Sequence, residues 1–187
     1  MERIAIVGCS GGGKSTLAIG LGARQSLPVA HLDNLFWKPG WKECALEEFR
    51  PKVEAAAAGE RWIIEGNFTS ASHLRFARAD TVVWIELPIL LCLWRAFRRM
   101  LLSFGRVRPD LAPGCPEQFD LAFYRYIVDW NRVTRPKMAR VLAQFAPDAR
   151  LVRIRSDRDK VAFLADPQGW RDAAHLVRAA TKSEVDR

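Results

Sequence analysis

Short apolar runs alternate with segments of helical spacing along the chain. The first run, residues 4–7 (Ile-Ala-Ile-Val), shows no alternation with polar positions, which is typical of a strand buried on both faces of a sheet. Four similar runs follow, at residues 29–32, 62–64, 81–85 and 151–154. The pattern therefore predicts five short strands.

Helical segments lie between these runs. They are predicted at residues 14–24 and 46–58 and from about residue 89. After a loop rich in Gly and Pro, another helical region ends at residue 143, and a last helix begins at about residue 156. Pro51 is expected to kink the second helix or to mark its start, and Ser156 and Asp159 have capping-box spacing. Strands separated by helices predict an α/β fold of three layers, with a five-stranded parallel sheet flanked by helices.

Composition adds to this prediction. The chain has 187 residues, of which 49% are hydrophobic and 27% charged, so we expect a single domain over residues 1–187. The longest strongly apolar stretch, residues 81–94, is interrupted by Glu86 and Pro88 and is shorter than the roughly 18 residues of a spanning helix. An integral membrane protein is therefore not expected.

The cysteines and the amino terminus suggest a location. Four cysteines lie far apart without the paired spacing of a zinc site, and Met1 leads directly into the first apolar run without a signal-peptide pattern. We therefore expect a protein of the reducing cytoplasm.

The charge is uneven. The formal net charge is +8. Eight arginines and four acidic residues lie between positions 95 and 135, which places half of the excess in 41 residues. Such a basic segment implies an anionic partner, which composition alone leaves open as nucleic acid, a membrane surface or a phosphorylated small molecule.

Residues 8–15, Gly-Cys-Ser-Gly-Gly-Gly-Lys-Ser, match the phosphate-binding pattern G-x-x-x-x-G-K-[ST] between a strand and a helix. Glycines let backbone N–H groups turn toward phosphate oxygens, and the helix N-terminus adds its positive end. Lys14 is expected to reach the β- and γ-phosphates and Ser15 to ligate Mg²⁺. The motif thus predicts ATP and Mg²⁺ as cofactors, bound through Gly8, Ser10, Gly11, Gly12, Gly13, Lys14, Ser15 and Thr16.

Three further segments carry a family resemblance. They are residues 27–33 with 36–41, residues 62–68 (Trp-Ile-Ile-Glu-Gly-Asn-Phe), and residues 106–110 with 114–117. Together with the phosphate loop they resemble the nucleoside-monophosphate kinase group of P-loop kinases, and in particular the adenylate-kinase-related FlaR-like (DNA topology modulation) proteins. The resemblance covers about residues 1–155.

The resemblance implies roles for two acids. In the wider group the acid that ends the third strand helps to hold Mg²⁺ through water, and this position is Glu65, where Asp is more usual. Asp33 ends the second predicted strand, where an acid in related kinases meets the acceptor and would orient its hydroxyl or accept its proton. The alternative role for Asp33 is capping of the next turn.

The resemblance also implies a lid over residues 95–135 and an acceptor-side helical subregion over residues 34–60. Arg95 would lie against the nucleotide base and Arg99 near its phosphates. Arg106 and Arg108 would close over the γ-phosphoryl group as charge spreads across its oxygens, and Arg132 and Arg135 are further candidates for this role. For each arginine a solvated surface position is the alternative.

The sequence also departs from true adenylate kinases. Residues 34–37 and 65–69 lack the two arginines with which those enzymes grip AMP, so AMP is not the expected acceptor. Asn67 has two open roles, acceptor contact or structure, while His31 and His73 show no partner pattern and are expected to be structural.

The leading functional hypothesis is ATP- and Mg²⁺-dependent phosphoryl transfer to a small acceptor, a nucleotide or another metabolite. The alternative is a nucleotide-binding regulator that contacts DNA through its basic surface, although no helix-turn-helix, zinc-finger or basic-zipper pattern is evident. A weaker possibility is peripheral membrane attachment through residues 89–104, whose Leu and Trp content is explained more simply by burial against the sheet.

Overall fold

The computed structural model describes residues 1–108 and 111–170, so Pro109, Asp110 and residues 171–187 lie outside the described residues. A five-stranded parallel sheet forms its centre. Its strands are β1 (Arg3–Gly8), β2 (Val29–His31), β5 (Trp62–Glu65), β6 (Thr81–Ile85) and β7 (Arg150–Ile154). They lie in the order β2-β5-β1-β6-β7. The prediction of five parallel strands is confirmed. The second strand ends at His31, and Leu32, which was predicted to lie in it, begins the next helix.

Helices cover both faces of the sheet. They are α1 (Lys14–Gln25), α2 (Leu32–Phe36), α3 (Leu46–Ala57), α4 (Ser72–Phe76), α5 (Ile89–Ser103), α6 (Leu121–Val128), α7 (Arg135–Phe145) and α8 (Asp157–Ala165). Core side chains of β1 alternate between two clusters: Ile4 and Ile6 pack with α1, α5 and α8, while Ala5 and Val7 pack with α3, α4 and α7. Burial on both faces explains the unbroken apolar pattern of the strand.

Two helix predictions have different outcomes. Pro51 lies inside α3 on its exposed side, so it does not mark the start of this helix. Proline removes one interior hydrogen-bond donor, and an exposed position lets water solvate the carbonyl that would have accepted it. The capping box of α8 is confirmed, since the Ser156 and Asp159 side chains each bond to the backbone of the other residue.

A small hairpin that the sequence pattern did not predict extends from the sheet. It consists of β3 (Trp37–Lys38) and β4 (Lys42–Glu43), an antiparallel pair. Gly40 and Trp41, at the turn, both have positive φ angles. Strands of two residues are too short to show a period-2 pattern, so only the tertiary structure reveals them.

The expected burial of α5 is only partly correct. Cys92, Ala96 and Met100 face the core, but Leu90 and Trp94 are 80% and 59% exposed. The other exposed apolar residues of α5 are Phe97, Leu101 and Leu102. One seam of this helix suffices to cover the sheet, so its second apolar stripe faces outward. Among the described residues, no helix is long and apolar enough to cross a membrane.

Candidate active site

The phosphate-loop sequence forms the turn between β1 and α1, at the carboxyl edge of the sheet. Gly11 and Gly13 have φ angles of 80° and 84°, which side chains other than glycine rarely adopt. A Cβ atom on Gly11 would also lie 2.2 Å from the carbonyl oxygen of Cys92 in α5. The glycines therefore allow the loop both its conformation and its close contact with α5.

Lys14 and Ser15 begin α1 and carry the first polar groups of the site. The Lys14 Nζ folds back over the loop and donates to the Cys9 carbonyl oxygen at 3.4 Å. The Ser15 Oγ donates to Glu65 Oε1 at 3.0 Å. Ser10 is partly buried within the loop, whereas Thr16 is exposed on the first turn of α1.

Glu65, at the end of β5, is buried beside the loop. Its Oε1 lies 2.7 Å from His31 Nδ1, because parallel pairing of β2 with β5 places these two residues in register. Burial alone would raise the pKa of Glu65, but the His31 hydrogen bond, Lys14 and the Ser15 hydroxyl outweigh it and hold the pKa below its usual value. His31 thus contacts a residue of the site, which the sequence pattern did not indicate.

Asp33 lies in the first turn of α2, next to this cluster. The N-cap residue of this helix is His31, so Asp33 does not cap it. Burial and the nearby charge of Glu65 raise the pKa of Asp33, against the opposing effects of Lys14, Arg99 and His31. Two carboxylates and the loop lysine therefore lie within electrostatic range of one another.

Ser15 and Glu65 fit a magnesium ion chemically. Hydroxyl and carboxylate oxygens are the donors that Mg²⁺ prefers, and it usually takes few of them from the protein and the rest from phosphate and water. Among the described residues, no group of three or more His, Cys, Asp or Glu side chains is arranged to hold a metal by itself. An ion at this position would thus depend on a bound phosphate to complete its ligands.

Asn67 joins β5 to the phosphate loop. Its Oδ1 accepts a hydrogen bond from the Gly8 N–H at 3.1 Å, and its Nδ2 donates to the Gly8 carbonyl at 2.8 Å. The same Nδ2 lies 3.1 Å from the Tyr126 hydroxyl. The Asn67 side chain therefore extends the sheet pairing by one residue and fixes the start of the loop.

Arg75 is a buried arginine that no sequence pattern indicated. Its side chain is fully buried, stacks over the Phe76 ring and donates from Nη2 to the Gly66 carbonyl at 2.8 Å. Burial lowers the pKa of Arg75 to about 9, with Glu65 acting in the opposite direction. The guanidinium thus supports the backbone that directly follows Glu65.

Two of the predicted lid arginines meet at one buried carboxylate. Arg99 Nε and Arg108 Nε lie 3.4 and 2.9 Å from Glu117 Oε2. Arg106, in contrast, is exposed on the same segment. Glu117 lies in one of the segments that carry the family resemblance but had no assigned role, and it pairs with Arg99 and Arg108 in this structure.

The lid segment is attached to the hairpin. Gly40 N–H donates to the Gly114 carbonyl at 2.8 Å, and Trp41 Nε1 donates to the Pro116 carbonyl at 2.8 Å. Cys115 Sγ adds a contact to the Lys38 carbonyl at 3.2 Å. Residues 37–43 and 114–116 thus form one connected wall.

Arg95 lies where α5 meets α8. It pairs with Asp157, whose other oxygen lies 2.7 Å from Lys160 Nζ. Lys160 in turn donates to the Gly12 carbonyl at 3.0 Å. The Arg95 and Lys160 hydrogen bonds lower the pKa of Asp157 to about 2. Lys160, which sequence reasoning missed, links α8 to the loop.

Similarity to known proteins is structural. Neither a protein-family model nor a curated protein matches the sequence. A shikimate kinase from Bacteroides thetaiotaomicron aligns with a TM-score of 0.51 and 17% identity, over 89% of this chain and 96% of that one. A gluconokinase from Sinorhizobium meliloti 1021 aligns with a TM-score of 0.50 and 14% identity, over 88% and 91%. At these identities the similarity establishes a shared fold, and the predicted P-loop α/β fold is confirmed.

Proposed function

We propose that this protein is an ATP- and Mg²⁺-dependent kinase that transfers the γ-phosphoryl group to a hydroxyl group of a small acceptor. The observation that carries the proposal is one cluster: the phosphate loop with Lys14, the contact of Ser15 with Glu65, and Asp33 within electrostatic range of Lys14 and Glu65. The two structural neighbours are named as kinases, and this supports a phosphotransfer role for the shared fold.

In the proposed mechanism the protein mainly positions groups and stabilises charge. Lys14 and the N-terminus of α1 hold the β- and γ-phosphates. Mg²⁺, held by Ser15 and Glu65 together with the phosphates, would neutralise charge on the phosphate oxygens. Asp33 orients the acceptor hydroxyl and takes its proton as the acceptor oxygen bonds to phosphorus and the bond to ADP breaks.

Arginines complete the proposed site. Arg99 and Arg108 come from α5 and the lid, and Arg106 reaches the phosphates from its exposed position by lid closure. Arg95 belongs to the nucleotide side, beside Asp157 and Lys160. The proposal includes a likeness to adenylate kinases and FlaR-like proteins. It also includes a cytoplasmic location, which the four free cysteines suit.

The test is acceptor-dependent ADP formation by the purified full chain. A panel of polyols, sugar acids, shikimate, nucleosides and nucleoside monophosphates is offered with ATP and Mg²⁺. Lys14→Ala should lower turnover with the active acceptor by about 10²-fold or more, because the lysine stabilises charge in the transition state. Lys137→Ala, on the exposed side of α7, is the matched control. ATP·Mg binding that is equally tight in the Lys14→Ala variant would contradict the proposal.

The DNA-binding alternative is less well supported. Most of the arginines between positions 95 and 135 pair with acids in the structure, including Arg95, Arg99, Arg108, Arg132 and Arg135. Filter binding over a salt series distinguishes the two functions, since a DNA-binding protein loses affinity steeply with salt.

A further inference from the structure

A second polar cluster lies at the same edge of the sheet, on the side of β7. Glu86 follows β6, and three arginines surround its carboxylate. Arg135 Nη2 lies 3.2 Å from Glu86 Oε1, while Arg153 Nη1 and Arg155 Nε lie 3.6 and 3.7 Å from Oε2. Three guanidinium groups therefore surround one carboxylate.

An open cavity of about 410 Å³ adjoins this cluster. It is lined by Glu86, Leu87, Pro88, Trp130, Asn131, Arg135, Arg153 and Arg155. Its size lies within the range of roughly 300–1,000 Å³ that is usual for small-molecule sites. Apolar side chains beside a basic group suit an organic anion, in which a charged group is joined to a carbon body.

The backbone around the cavity is also unusual. Residues Trp130–Thr134 form a π-helical turn between α6 and α7, with the Arg135 N–H bonded to the Trp130 carbonyl. Pro136 follows at the start of α7, where its missing N–H disturbs regular pairing. Such π-turns frequently occur at functional sites. Here the turn places Trp130, Asn131 and Arg135 on one cavity.

Exposure differs among the charged groups in a way that suits ligand binding. The Glu86 side chain is 13% exposed, whereas those of Arg135 and Arg155 are 42% and 59% exposed. The carboxylate therefore sits beneath the guanidinium groups and orients them. A guanidinium has five N–H donors in a fixed fork, so Arg135 and Arg155 keep donors for a second anion after one contact each to Glu86.

We propose that this cavity binds the carboxylate or phosphate group of a small organic anion, at a site separate from the phosphate loop. Arg135 and Arg155 would contact the anion directly, and Glu86 would act as a positioning residue. The proposal does not rest on the kinase function. Glu86 and Arg155 have no assigned role toward ATP, Mg²⁺ or the acceptor hydroxyl, and Arg135, a candidate for the γ-phosphoryl group, pairs with Glu86 instead.

Isothermal titration of the full chain with citrate and with inorganic phosphate tests the site, one probe for each anion class. The Lys14→Ala background weakens binding at the phosphate loop, so the remaining binding reports the cavity. In that background, Arg135→Ala with Arg155→Ala should weaken binding of the preferred anion by about tenfold or more, because two charge-assisted contacts are lost. Arg24→Ala with Arg61→Ala removes the same charge from exposed positions elsewhere and should leave the affinity almost unchanged.

Glu86→Gln supplies a test of opposite sign. The amide keeps an oxygen that can accept from the arginines and hold them in place, while it removes the negative charge that opposes a bound anion. Anion binding should therefore become several-fold tighter, which damage to the fold would not produce. The proposal would be overturned if the double arginine variant bound the anion as tightly as the Lys14→Ala background does. It would also be overturned if neither citrate nor phosphate bound to that background. Kinase activity plays no part in these measurements, so their failure is distinct from failure of the proposed function.

Discussion

The Asn67 carboxamide bonds to both backbone groups of Gly8, at 3.1 Å to its N–H and 2.8 Å to its carbonyl. These two residues are 59 positions apart, yet their contact fixes the first residue of the phosphate loop. The loop conformation therefore depends on a side chain from the segment that follows β5 as well as on its own glycines.

Asn67→Ala should weaken ATP binding and destabilise the fold by about 1–3 kcal/mol, since it leaves both polar groups of Gly8 without these partners. ATP titration and denaturant unfolding measure the two effects. Tyr126→Phe removes only the third contact of Asn67 and should have the smaller effect in both assays. Unchanged affinity and stability in the alanine variant would show that Asn67 does not hold the loop.

Glu65→Gln should raise the Mg²⁺ concentration needed for half-maximal ATP turnover by about tenfold or more, because the site loses a charged oxygen ligand. The variant retains an oxygen that can accept the Ser15 hydrogen bond. Glu60→Gln, at a side chain that is 80% exposed, is the control. A Mg²⁺ requirement that stays the same in Glu65→Gln would exclude Glu65 as a magnesium ligand.

Asp33 should set an acid limb in the pH profile of kcat/KM. Its pKa is raised above the ordinary value of 3.8, and the protonated carboxyl cannot accept the acceptor proton, so activity should fall as pH drops through the raised pKa. Asp33→Asn should remove this limb together with most of the activity. A limb that persists unchanged in the residual activity of the variant would assign it to another group.

The raised pKa of Asp33 also predicts that replacing this residue stabilises the fold, although it lowers activity. A raised pKa means that the folded state favours the protonated acid, so ionised Asp33 costs stability above that pKa, and the cost disappears as pH falls below 3.8. Asp33→Asn should therefore raise the melting temperature at pH 7 while it lowers activity. Thermal unfolding at pH 7 and pH 4 checks this, with a larger gain expected at pH 7.

Glu117→Gln should affect binding and stability in opposite directions. It releases Arg99 and Arg108 from a buried carboxylate, so ATP should bind several-fold more tightly while the melting temperature falls. Glu47→Gln, in the exposed first turn of α3, serves as the control. Weaker ATP binding in a folded Glu117→Gln protein would mean that Glu117 holds the arginines in their working positions.

The exposed stripe of α5 can be tested through stability alone. Trp94→Gln should change the free energy of unfolding by no more than about 0.5 kcal/mol, because the side chain is 59% exposed. Phe163→Ala should cost about 3–5 kcal/mol, because that ring is fully buried. Urea unfolding of both variants decides the point, and a loss for Trp94→Gln that matches Phe163→Ala would mean that Trp94 is buried in solution.

Local sequence patterns predicted some elements of the described part of the chain and missed others. The strands around Ile6 and Val83 follow from apolar runs, and the α8 capping box follows from the Ser156 and Asp159 spacing. The hairpin at Trp41 and the outward stripe of α5 do not follow. A two-residue strand has no period to detect, and an apolar helix gives no sign of which stripe the sheet will cover.

The sequence by itself determined the α/β class, the strand positions and the phosphate loop, because each depends on residues that are close together along the chain. The tertiary structure decided which side chains contact one another. Glu65 contacts His31 and Ser15. Glu117 pairs with Arg99 and Arg108, and Glu86 pairs with Arg135. Parallel strand register and helix packing bring these residues together across dozens of positions. Local spacing carries no information about such contacts, so a charge count could locate the arginines but could not assign them to a site.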